Sequence, residues 1–129
     1  MITEAQRKII KTRVNNYKAY DRKRFGTNEN SISYEQYLEL WIEQEGKCYW
    51  TGLKMTMADG LPTDASLDRI HCDRPHTADN TVLVHRSMNL GRNDSSLLDW
   101  VRYLHSCGIL AEEHTRDLVA NGFLVDDWE

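Results

Sequence analysis

Only two stretches of this chain have the character of β-strands: Ser66 to His71 and Thr81-Val82-Leu83-Val84-His85. A polar segment containing Pro75 separates them. Two short strands cannot build a large sheet, so the rest of the fold must be helical. The sequence supplies those helices. Thr3 is placed to cap a helix running to about Phe25, with Ile10, Val14 and Tyr17 at helical spacing and Ile9 and Tyr20 widening the stripe. After a polar break at Gly26 to Asn30, Ser33 and Gln36 form a capping-box pattern. That opens a second helix with Tyr34, Leu38, Trp41 and Ile42 as its apolar stripe, predicted to close at Gly46. Residues 47–66 carry turn signals at Thr51-Gly52, Asp59-Gly60 and Pro62. Arg86 to Arg92 has a short helical pattern that stops at Asn93-Asp94. Ser95 or Ser96 then caps a helix over Leu97, Leu98, Trp100, Val101 and Leu104, closed by Gly108, and a last helix covers about Ala111 to Ala120.

The predicted order is α-α-loop-β-β-α-α-α, with no internal repeat, low-complexity tract or linker. The 129 residues suit one α+β domain. Its parts are two N-terminal helices (1–46), a ββα core (47–94), and C-terminal helices with an acidic tail (95–129). Hydrophobic residues make up 40% and charged residues 28%, as in soluble globular proteins. No apolar run approaches the ~20 residues of a membrane span, and no secretory signal pattern is present. The cysteines Cys48, Cys72 and Cys107 are odd in number and lack C-x-x-C spacing. A disulfide scaffold is therefore a poor reading, and a reducing cytoplasm is the expected location.

Charge is unevenly spread. Residues 1–24 hold eight Lys or Arg against Glu4 and Asp21, whereas 94–129 hold eight acids against Arg102 and Arg116. The chain as a whole is −4. A basic head fits a phosphate backbone as partner, or simply a solvated helix face.

The chemistry concentrates in 66–93. Asp68 falls on the first strand and Asn89 in the helix directly after the second. A hairpin with a helix across it can bring these side chains together. A carboxylate and an amide oxygen are hard ligands that suit magnesium with several waters retained. Such an ion stabilises a scissile phosphate, and a nearby imidazole can deprotonate the attacking water. Asn80 can tie the loop by backbone hydrogen bonds.

Asp68-Arg69-Ile70, then Asp79-Asn80-Thr81-Val82-Leu83-Val84, then Asn89 and Arg92, resembles the HNH endonuclease family with its ββα-metal fold. Gly46-Lys47-Cys48-Tyr49-Trp50-Thr51-Gly52-Leu53 resembles the lead-in of phage members. The likeness spans roughly residues 33–94. It implies a metal-dependent endonuclease that nicks or cuts double-stranded DNA, in the host cytoplasm if phage-encoded. Asp68 and Asn89 match the ligands of a single Mg2+ or Mn2+ ion, and Asn80 matches the loop-bracing Asn. Arg92 matches a basic residue that faces phosphate, with Lys8, Lys11, Lys18 and Arg22 of the first helix as further phosphate contacts.

One position departs from the family. The usual general base, a His directly after the first-strand acid, is here Arg69, which stays protonated. Phage relatives with Asp-Arg-Ile share this departure. His71 is the leading replacement, followed by His85, with His76 also available. Arg69 itself would bind phosphate or stabilise transition-state charge. The alternative is a catalytically inactive module that binds DNA or a protein partner. A homodimer stays open.

Blander roles compete with these. Asp68 can pair with Arg69 or Arg74, Asn80 can be a turn residue, and Asn89 an ordinary helix residue. Cys48, His71, Cys72 and His76 have zinc-ligand chemistry, but their spacing matches no standard pattern, so zinc is disfavoured. Cys48 is expected to pack under the Thr51-Gly52 turn, and Cys107 in the core. His105 and His114 are expected at the surface, and Trp41, Trp50, Trp100 and Trp128 in packing roles.

Overall fold

The computed structural model describes residues 2–122. Among them are five α-helices and one two-stranded antiparallel sheet, a mixed α+β fold. Helices α1 (Glu4–Phe25) and α2 (Tyr34–Glu43) both start at complete capping boxes, Thr3 with Gln6 and Ser33 with Gln36. Each box satisfies two backbone donors that the first turn leaves without partners. Helix α1 ends at Gly26, whose left-handed φ of 79° lets its N–H reach the Arg22 carbonyl.

Helix α2 stops at Glu43, short of Gly46. Gln44 and Glu45 then turn the chain into Gly46, whose left-handed φ of 68° lets its N–H reach the Trp41 carbonyl at 3.0 Å, so Gly46 closes the helix as expected. The Gln44 side chain pairs with the backbone of Leu83. Its Nε2 donates to the Leu83 carbonyl at 2.8 Å, and its Oε1 accepts the Leu83 N–H at 2.9 Å. This amide acts as one rung of a β-ladder.

Strand β1 (Ala65–Arg69) pairs with β2 (Thr81–His85) in a register that sets Asp68 opposite Val82. The ladder ends two residues before His71. There the side chain of Asn80 takes over, accepting the His71 N–H at 2.9 Å and donating to the carbonyls of His71 (3.0 Å) and Pro75 (3.1 Å). A single 3₁₀ turn at Ala78–Asn80 closes the loop. Helix α3 (Arg86–Arg92) follows β2 without a loop and packs back on both strands. Helices α4 (Leu97–Ser106), capped by Ser96, and α5 (Glu112–Ala120) complete the described chain.

One cluster of buried side chains joins all these elements. It runs from Ile10 and Val14 of α1 through Tyr37, Leu67, Leu83 and Val84 to Trp100, Leu104 and Leu118. Each large apolar side chain removed from water contributes about 1.5–3 kcal/mol.

A two-stranded sheet leaves strand edges open, and unpaired backbone groups there need partners. Side chains satisfy the open edge of β1. The Ala65 carbonyl accepts from Arg13 (2.8 Å) and the Tyr37 hydroxyl (3.3 Å). The Leu67 N–H donates to the Tyr17 hydroxyl at 3.1 Å, and the Leu67 carbonyl accepts from Asn89 at 3.0 Å. Helices α1 and α3 are thereby held on either side of this edge.

Two expectations are corrected. Cys107 is exposed, because it follows the end of α4 and faces away from the core. His114 is buried, its Nε2 within 2.6 Å of the Tyr49 carbonyl and its ring tilted against Tyr49 and Trp50. His105 is half-buried on α4. Trp128 and the end of the acidic tail lie outside the described residues. No helix among the described residues is long and apolar enough to cross a membrane.

Candidate functional site

Between α1, the free edge of β1 and α3 lies an open groove of about 670 Å³. Tyr17 and Tyr20 line it from α1, Ser66, Asp68 and Arg69 from β1, and Asn89 from α3, with His76 reaching in from the loop.

Asp68 is only 3% exposed. Its Oδ2 accepts from the Trp50 indole at 2.9 Å and from Arg92 Nη1 at 3.2 Å. No described residue donates to its Oδ1. Burial pushes the Asp68 carboxyl above the usual aspartate range, against the pull of Arg92, Trp50 and Arg69. Asn89 spends both amide hydrogens, on Ser66 Oγ at 2.8 Å and on the Leu67 carbonyl at 3.0 Å. Its Oδ1 has no donor among the described residues.

Arg92 does not present its charge to solvent. The residue has 0% exposure. Its guanidinium donates to the carbonyls of Arg69 (2.5 Å) and Ile70 (2.6 Å) as well as to Asp68, and lies over the Trp50 ring. The expected phosphate contact is corrected to a buried structural one. Arg69 is also largely enclosed. It donates to the carbonyls of Cys72 (2.7 Å) and Arg74 (3.3 Å) and to the Tyr20 hydroxyl (3.3 Å), with the Tyr20 and Phe25 rings against its guanidinium.

The two leading imidazoles are not brought to the groove. His71 is exposed on the loop outside it. His85 is at the far end of β2, opposite Ala65, with Nε2 2.8 Å from the Lys54 carbonyl. The groove's imidazole is His76, which is 4% exposed. Its Nδ1 lies 2.8 Å from Asp21 Oδ1, and its backbone N–H donates to Asp21 Oδ2 at 2.9 Å. Burial lowers the His76 pKa below the ordinary histidine value, although the Asp21 hydrogen bond opposes this.

No family model, curated protein or solved structure matches this chain.

The basic head is also divided by the helix. At about 100° per residue, Lys8, Lys11, Lys18 and Arg22 fall on the face of α1 opposite Arg13, Asn16, Tyr17 and Tyr20, the residues that line the groove. A duplex lying in the groove does not meet those four cations. The arginines that line the groove are Arg13 and Arg69, both bonded to backbone carbonyls, and Arg86 at the start of α3; Arg24, on the same face of α1, is bonded to Tyr20 and within 3.6 Å of Asp94.

Among the described residues no three His, Cys, Asp or Glu side chains gather around one point. Cys48 is buried, its Sγ 3.4 Å from the His85 N–H, while Cys72 Sγ lies 3.8 Å from the carbonyls of Asn93 and Ser95. The Cys48, His71, Cys72 and His76 quartet is thus not assembled. Asp68 and Asn89 offer a sparser set, one carboxylate oxygen and one amide oxygen on the same groove. That set fits a hard ion that keeps most of its waters.

Sequence reasoning missed Asp21. It continues the Ile10, Val14, Tyr17 stripe at helical spacing and is fully buried. An acid on the core face of a helix requires a partner, and that was the available signal.

Proposed function

We propose that this groove binds and hydrolyses a phosphodiester backbone, making the chain a metal-dependent endonuclease of the HNH type acting on double-stranded DNA. One observation carries the reading: Asp68 and Asn89, on different elements, line the same groove, each with an oxygen that has no donor among the described residues. Asp68 and Asn89 would hold a Mg2+ or Mn2+ ion. Bound there, such an ion supplies positive charge to the scissile phosphate and its leaving oxygen. The protein's part is rigidity. Trp50 and Arg92 fix the Asp68 carboxylate, while Ser66 and the Leu67 carbonyl fix the Asn89 amide, so neither must reorganise when charge develops. Arg24 and Arg86 contact backbone phosphates at the groove's rim.

The test is cleavage of supercoiled plasmid and high-molecular-weight genomic DNA with Mg2+, Mn2+ or EDTA. Wild type is expected to nick or linearise DNA with either metal and to stop with EDTA. Asp68→Asn and Asn89→Ala are expected to lose on the order of 100-fold or more in rate. Folded wild type that binds DNA but cuts neither substrate refutes the nuclease. That result supports the second reading, an inactive binding module, which is favoured by the buried Arg92 already neutralising Asp68.

A further inference from the structure

We propose that His76 is the general base of this groove and that Asp21 is its positioning residue. This rests on the phosphodiester hydrolysis argued above.

Asp21 has 0% exposure and accepts three hydrogen bonds. Ser31 Oγ donates to Oδ2 at 2.5 Å, the His76 N–H to Oδ2 at 2.9 Å, and His76 Nδ1 to Oδ1 at 2.8 Å. A carboxylate is an acceptor only, so the Nδ1 contact requires the proton on Nδ1. The lone pair is then on Nε2, the ring nitrogen with no partner among the described residues. Tyr17 and Tyr20 pack on the ring with centroids 4.7 and 5.7 Å away, which hinders any flip. The charged groups facing the imidazole are Asp21 from α1 and Asp68 and Arg69 from β1. Its burial keeps the ring neutral at neutral pH, the state a base needs.

The step balances simply. A water oxygen forms a bond to phosphorus while the bond from phosphorus to the leaving sugar oxygen breaks. The water proton passes to His76 Nε2, and the sugar oxygen takes a proton from solvent. Asp21 then carries the charge opposite the imidazolium.

His76 also braces the fold, since its carbonyl accepts the Ile32 N–H at 2.6 Å. The test must separate the two roles. His76→Asn keeps a donor toward Asp21 and removes Nε2. Its cleavage rate is expected to fall on the order of 100- to 10,000-fold, with melting temperature and DNA affinity nearly unchanged. His76→Ala is expected to regain part of its activity when imidazole is added. Long-range ¹H–¹⁵N spectra of wild type should show the Nδ1-protonated tautomer, and Asp21→Asn should move the proton to Nε2 and slow cleavage.

Wild type that cuts DNA while His76→Asn cuts within threefold of it overturns the base assignment and leaves the nuclease standing. Wild type that cuts neither substrate overturns both. An Nε2-protonated tautomer in wild type overturns the assignment whatever the activity.

Discussion

Replacing Arg92 by Met tests whether this arginine belongs to the fold or to the substrate. The guanidinium is fully buried and bonded to Asp68, to the carbonyls of Arg69 and Ile70, and through Nε to the Ser95 carbonyl at 3.3 Å. Methionine fills similar space without charge. Asp68 then keeps the Trp50 indole but loses its counter-charge, and an unpaired buried charge costs about 3–5 kcal/mol. The two carbonyls lose their donors, each a further loss of roughly 1 kcal/mol. The sum, about 5–7 kcal/mol, is a large part of the 5–15 kcal/mol typical of a domain. A chain of this size loses roughly 3–5 °C of melting temperature per kcal/mol, so thermal unfolding at pH 7 should shift down by about 15–35 °C. The double variant Asp68→Leu/Arg92→Met should recover part of this, because no charge is left unpaired. A melting temperature within about 3 °C of wild type, joined to weaker DNA binding with a salt slope reduced by about one, would refute the argument. Arg92 would then be a phosphate ligand.

The remaining predictions concern acid stability and the DNA face. Asp64 is buried, which raises its pKa, but hydrogen bonds from Thr56, Ala58, Leu61 and Gly60 outweigh this and hold it below the ordinary aspartate value. A lowered folded-state pKa gives stability above the unfolded value that disappears as pH falls through the folded one. Asp64→Asn should therefore cost about 2 kcal/mol at pH 7, with the gap to wild type closing in acid melting curves; a gap constant from pH 7 to strong acid would contradict this. For DNA, Arg24→Gln/Arg86→Gln should lower the salt slope of binding by about two, whereas Lys11→Gln/Arg22→Gln should leave it unchanged. The reverse pattern in a binding titration would put the duplex on the other face of α1.

What was legible in the sequence was local. Thr3 with Gln6 and Ser33 with Gln36 announce helix starts because a capping box needs only four consecutive residues. The strand pair was readable because its two runs are the only ones of their kind. The pairing of Gln44 with the Leu83 backbone was not, because it joins residues 39 positions apart. The burial of Arg92 was hidden for the same reason. Its partners are carbonyls and one carboxylate on a strand more than twenty residues earlier. Position along a helix says nothing about whether a charge at that point finds acceptors or water.

Arg69 and His76 are coupled through the loop that follows β1. With arginine after Asp68, no imidazole can occupy that strand position. The arginine instead donates to the carbonyls of Cys72 and Arg74, and Asn80 holds the carbonyl of Pro75. These bonds pin the three residues that lead into His76. Asp21 then captures both the backbone and the ring of His76. Arg69 and His76 therefore belong to one arrangement: the side chain beside Asp68 anchors the loop that carries the imidazole into the groove. Arg69→His should loosen this loop rather than create a better site, because it removes the two donors to Cys72 and Arg74 that hold His76 in reach of the groove.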